Sequence, residues 1–200
     1  MINHKHKFIF IHIPKTGGTS IEKLFHANAD EKDVANKHAK LSEIQNTQNY
    51  FCFSFVRNPW DLTVSMYKYL WTSSYSWPIR WRANHKEFSK LTFSNWVNHE
   101  FFQSPTIRSA DIASNGGIDK FQCDWIKSKN KSIDFVGRFE NLQEDFNTVC
   151  DKIGIPRQKL PHTNKTDRKH YTEYYDDETR EIVAEKYTKD IECFGYKFGE

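Results

Sequence analysis

Apolar and polar residues fall into blocks along this chain, and the blocks change period. Three short runs are mainly apolar: Phe8–Ile13, Tyr50–Val56 and Ile133–Gly137, the last interrupted by Asp134. Short β-branched and aromatic runs bounded by proline, glycine or polar residues predict buried strands of the parallel type. Between them the pattern turns helical. Thr19 to about His26 places Ile21, Leu24 and Phe25 on one face. Asn58-Pro59-Trp60-Asp61 opens a helix running to about Leu70, with Asn58 suited to the N-cap, Pro59 to the first position and Asp61 to the dipole. Lys120–Lys127 predicts a further helix, and Leu142–Ile153 is amphipathic and closed by Gly154 and Pro156. Asp176–Phe194 predicts a last helix entered through an acidic turn, and Ala39–Gln45 carries a weaker tendency. Residues 71–120 mix short helical patches with a Gly116-Gly117 turn, and residues 157–170 form a basic, proline-containing loop.

Strands alternating with helices predict an α/β fold, a parallel β-sheet flanked by helices. No repeat and no Gly-, Ser- or Pro-rich linker divides the chain, so residues 1–200 are expected to form a single domain. The aromatic share of 16% excludes a disordered chain. A net charge of +3 gives no overall footprint for nucleic acid, so any anion site must be local. The four cysteines form no C-x-x-C pair, which argues for reduced thiols and against a zinc site. The apolar run at Phe8–Ile13 is too short for a membrane span and lacks a small-residue cleavage site, so a soluble protein is expected to stay where it is made.

Ligands of open parallel sheets bind at the carboxyl ends of the strands, and two motifs lie there. The first is Pro14-Lys15-Thr16-Gly17-Gly18-Thr19-Ser20, between the first strand and the first helix. Two glycines let the backbone curl towards an anion, and the new helix offers unpaired N–H groups and its positive end. Thr16, Thr19 and Ser20 add hydroxyls, and Lys15 adds a charge able to neutralise a leaving oxygen. A Walker A loop differs, because its lysine follows the glycines. The second motif runs from Phe53 through Val56-Arg57-Asn58-Pro59 to Ser65. Arg57 ends an apolar strand, where its fork suits a phosphate, and Ser65 can add a hydroxyl from the helix that follows. A local carboxylate such as Asp61 is the alternative partner for Arg57.

Phe10-Ile-His-Ile-Pro-Lys-Thr-Gly-Gly-Thr-Ser20 resembles the 5′-phosphosulfate loop of sulfotransferases, and Val56-Arg57 through Ser65 resembles their 3′-phosphate motif. The wording is closest to the carbohydrate 2-O-sulfotransferase-like branch and its small bacterial relatives. The likeness resumes at Asp134–Leu142, Leu160–Thr166 and Asp190–Tyr196. The resemblance implies a P-loop-like sulfotransferase fold, 3′-phosphoadenosine 5′-phosphosulfate (PAPS) as donor, and in-line transfer to a hydroxyl without a metal. It gives Lys15 to the leaving phosphate, Thr16, Gly17, Gly18, Thr19 and Ser20 to the 5′-phosphate, and Arg57 and Ser65 to the 3′-phosphate. For a full-length chain, the lack of an N-terminal anchor departs from Golgi relatives and implies a bacterial cytoplasmic enzyme.

A hydroxyl acceptor needs a general base, and histidine is the usual one near neutral pH. His38 lies between the two motifs, in the interval where 2-O-sulfotransferase-like relatives carry a histidine base. His12, Glu31 and Glu43 are rivals. Tyr67, Tyr69, Trp71, Tyr75, Trp77, Trp81 and Trp96, interleaved with Arg80, Arg82 and Lys86, fit a carbohydrate acceptor of acidic character, or equally an aromatic core. Residues 162–170 read as a solvated loop or as a lid bringing Lys165 or Arg168 to a phosphate. Two other readings stay open at this level. One is a P-loop small-molecule kinase, which would need magnesium and ATP. The other is a non-catalytic glycan- or nucleotide-binding module.

Overall fold

The computed structural model describes residues 1–26, 39–44, 49–72, 91–99, 102, 121–161 and 168–200. The chain divides into two compact units, Met1–Arg57 with Lys120–Lys165 and Asn58–Asp119 with Thr166–Glu200.

The first unit holds a four-stranded sheet in the order β1 (Ile2–Asn3), β2 (Phe8–Ile11), β3 (Phe51–Val56) and β4 (Phe135–Arg138). β2, β3 and β4 are parallel, as the alternation of strands with helices predicts. β1 is antiparallel to β2, pairing Ile2 with Ile9 and Asn3 with Phe8, and its short polar sequence gave no strand signal. β2 is buried on both faces along its whole length. Its Phe8 and Phe10, with Phe53 and Phe55 of β3, meet α1 (Gly18–His26) through Ile21 and Phe25, and α5 (Leu142–Ile153) through Phe146, Val149 and Cys150. Phe10 stacks on Phe53 at 5.1 Å, and Phe25 meets Phe146 edge-on at 5.9 Å. Truncating one such ring to alanine costs about 3–5 kcal/mol, a large part of a domain's stability.

Smaller features fix the ends of these elements. Gly154 ends α5 at φ 70°, and Ile155 N–H donates to the Cys150 carbonyl at 3.0 Å, the left-handed cap expected of that sequence. The weak helical stretch around 39–45 is only a 3-10 turn, Leu41–Glu43, anchored by the fully buried Leu41. Lys120–Lys127 narrows to α4 (Gln122–Ile126). Near the start of β3, Cys52 is buried, and loss of solvation pushes its thiol up to about 11, consistent with an inert core thiol.

The second unit holds α2 (Pro59–Thr72), α3 (Phe93–Asn98), α6 (Asp177–Lys186) and α7 (Thr188–Phe194). α2 starts as the sequence predicts: Trp60 N–H donates to Asn58 Oδ1 at 3.1 Å, and Leu62 N–H donates to the Asn58 carbonyl at 2.8 Å. The single helix expected over Asp176–Phe194 is corrected to two. Asp176 caps α6 by accepting from Thr179 N–H at 2.8 Å. The helix then breaks at Tyr187, where the Thr188 hydroxyl donates to the Ala184 and Glu185 carbonyls. A hydroxyl bonding back to the preceding turn bends or ends a helix. Among the described residues, no helix is long and apolar enough to cross a membrane.

Candidate functional site

The segment after β2 is a loop built by backbone geometry. Lys15 and Gly17 both adopt the left-handed region, at φ 68° and φ 85°. For lysine that conformation costs roughly 1–2 kcal/mol, so neighbouring contacts must hold it. Thr16 Oγ1 donates to the Ile13 carbonyl at 2.9 Å, so this hydroxyl pins the loop from a fully buried position. Arg57 Nη1 donates to the Lys15 carbonyl at 2.9 Å. A side chain at Gly17 would be strained, since φ there is 85° and a Cβ would lie 2.8 Å from Leu142 Cδ2. A Cβ on Gly18 would overlap the His12 ring. That ring is buried and its Nδ1 lies 2.8 Å from Glu22 Oε1, which ties the end of β2 to α1 across the loop. α1 begins at Gly18, and Thr19 and Ser20 occupy its first turn, where helix N–H groups and the dipole favour an anion.

Arg57 follows β3 and is only 5% exposed. Its backbone is held by one side chain: Arg57 N–H donates to Gln122 Oε1 and Gln122 Nε2 donates to the Arg57 carbonyl, each at 2.8 Å. Its guanidinium lies over the Phe139 ring, 3.8 Å from the centroid. The same ring would meet a Cβ on Gly17 at 3.2 Å. Phe139 therefore touches both motifs, and the Lys15 carbonyl joins them directly. Lys15, Arg57 and the start of α1 thus lie together at one end of the parallel strands, where a helix N-terminus and basic residues favour an anion.

The second unit carries the other sequence-predicted contacts. Ser65 is buried in α2. Asp61, weighed above as a partner for Arg57, forms an ion pair with Arg168. Arg168 was expected as one of two lid residues reaching a phosphate, and Lys165, the other, lies outside the described residues.

The sequence model of the sulfotransferase family matches residues 1–197. The chain belongs to the sulfotransferase family. It is also 30% identical over 109 residues to an uncharacterised protein of Archaeoglobus fulgidus, covering 54% of this chain and 72% of that one. No solved structure matches. The likeness of the motifs to the carbohydrate 2-O-sulfotransferase-like branch fits this membership, as does the mixed α/β sheet with its flanking helices.

Of the candidate bases in this sulfotransferase-family chain, His38 and Glu31 lie outside the described residues. His12 is 4% exposed and engaged by Glu22, and Glu43 is exposed and accepts from the Lys40 N–H at 3.1 Å. Of the aromatic residues weighed as a sugar platform, Tyr75, Trp77 and Trp81, with Arg80, Arg82 and Lys86, lie outside the described residues. Tyr67 and Trp96 instead pack with Phe93 and Phe102, and Trp96 is 3% exposed, so this part of the aromatic set builds core. Two residues of the site had not been singled out in the sequence. Gln122 read as one position of a helix, and Phe139 as part of a strand-end motif. The available signals were a glutamine inside an apolar stretch, beside Cys123 and Trp125, and an aromatic residue within Gly137-Arg-Phe-Glu140.

Proposed function

We propose that the protein transfers a sulfuryl group from PAPS to a hydroxyl of an acceptor, a carbohydrate in the reading favoured here, on a P-loop-like fold. The observation that carries this reading is the direct hydrogen bond from Arg57 to the Lys15 carbonyl, which unites the two anion motifs at the ends of neighbouring strands. The donor set fits a nucleotide with phosphate at both its 5′ and 3′ ends. Gly17 and Gly18 let the backbone pack closely on Leu142 and His12 as it curls into the start of α1, and the helix N-terminus and Lys15 suit the 5′ end. Arg57, with Ser65 assigned by its place in the motif, suits the 3′ end. When bound, the donor supplies an activated sulfuryl group and leaves as 3′-phosphoadenosine 5′-phosphate.

Two residues carry the chemistry in this reading. Lys15, at the strand side of the loop, neutralises charge that grows on the leaving phosphate, an interaction stronger in the transition state than before it. His38 accepts the acceptor hydroxyl proton, on its place between the motifs and its pKa class. No metal is assigned a part in these roles.

Nucleotide choice tests the proposal. The 3′,5′-bisphosphate product should bind without magnesium and compete with PAPS, and ATP with magnesium should bind weakly. Strong magnesium-dependent ATP binding with no binding of the bisphosphate would sink it in favour of a kinase. Bisphosphate binding without PAPS turnover across an acceptor panel would favour a binding module.

A further inference from the structure

We propose that Gln122 is a positioning residue for Arg57: its side-chain amide completes the end of β3 and so aims the guanidinium at the 3′-phosphate of the donor. The proposal rests on the donor reading given above. The β3–β4 ladder ends at the pair Val56 and Arg138, one residue before Arg57. Beyond that point the Arg57 backbone needs a partner for both its N–H and its carbonyl. Gln122 supplies both, as acceptor and donor, at 2.8 Å each. A primary amide presents the same donor–acceptor pair as a peptide group, so Gln122 acts as a one-residue strand.

The burial of this amide argues for a specific purpose. Gln122 is 1% exposed and shares α4 with buried Cys123 and Trp125. An apolar side chain would fill such a position without the cost of removing an amide from water. Instead a glutamine is kept there with both ends of its amide on a single residue. That residue is the one whose guanidinium stacks on Phe139 and bonds to the Lys15 carbonyl. A rotation of the Arg57 backbone would swing a long side chain by far more than the rotation itself, and displacements near 1 Å are enough to weaken a functional contact severely. The amide therefore fixes the base of the lever, and Phe139 and the loop fix its tip.

The test compares two ligands on two proteins by calorimetry. Adenosine 3′,5′-bisphosphate carries the phosphate that Arg57 reads, and AMP lacks it. Gln122→Met keeps the length of the side chain and removes both hydrogen bonds. The variant should lose about tenfold to a hundredfold in affinity for the bisphosphate. Its affinity for AMP should stay within about twofold to threefold. Discrimination between the ligands should therefore collapse, which a general loss of stability would not produce. Unchanged discrimination, whether both affinities fall together or neither falls, overturns the role of Gln122. A parent protein that does not prefer the bisphosphate removes the donor reading and the role of Gln122 with it. Should Gln122→Met fail to fold, the parent decides by NMR. The Gln122 side-chain amide protons should exchange slowly with solvent and shift on adding the bisphosphate, but not AMP. Fast exchange, or the same response to both ligands, overturns the proposal.

Discussion

In the loop after β2 the geometry is made by the backbone, with Lys15 and Gly17 at positive φ and two glycines pressed against Leu142 and His12. At the end of β3 it is made by side chains, with Arg57 held by the Gln122 amide and the Phe139 ring. The first arrangement is mainly local: apart from its packing neighbours and the Arg57 bond to the Lys15 carbonyl, every residue that shapes the turn lies within one short stretch. The second is assembled from chain segments far apart in sequence. A helix N-terminus and curled backbone can hold any anion of suitable size. A fork of fixed direction reads one phosphate at one place. In the proposed function the loop supplies charge stabilisation where bonds change, and the strand end supplies recognition of the donor.

The largest expected effect tests whether both regions serve the donor alone. His38→Ala should lower turnover by about two to four orders of magnitude while binding of the bisphosphate stays normal in both regions. The acidic limb of the parent pH–rate profile, where the base becomes protonated, should be missing from the residual activity. Near-normal turnover would move the base to another residue. Lost bisphosphate binding would instead attach residues 36–40 to the nucleotide pocket.

A smaller effect separates the loop from the strand end. Lys15→Ala should lower turnover by about a hundredfold to a thousandfold, as expected for losing a donor to developing charge. Donor affinity should fall much less, because that charge is largest in the transition state. Poor donor binding with unchanged turnover would make Lys15 an anchor, and the contrast between the two regions would disappear.

The local region was legible in the sequence and the assembled one only in part. Strand, lysine, glycines and helix occur in order within Phe8–His26, so the loop could be placed from pattern alone. The N-cap Asn58 and the end of α5 at Gly154 were equally readable, because capping depends on neighbours in sequence. Arg57 could be picked out by type and position. Its supports could not, because Gln122 reaches it from a sequence separation of 65 residues and an isolated glutamine carries no periodic signal. β1 was missed for a similar reason: two residues too short for a pattern are strand only because β2 offers them an edge. The break at Tyr187 depends on where one threonine hydroxyl turns, which apolar spacing does not record.

The claim at the centre of this account is that Arg57 reads the 3′-phosphate of a sulfuryl donor. Calorimetric titration of the parent and Arg57→Ala with adenosine 3′,5′-bisphosphate and with AMP tests it most directly. The substitution should weaken bisphosphate binding by about 2–4 kcal/mol, the loss expected for a charge-assisted bidentate contact, and weaken AMP binding much less, through the lost bond to the Lys15 carbonyl alone. Equal weakening of both ligands would contradict the claim and reduce Arg57 to a structural brace for the Lys15 loop.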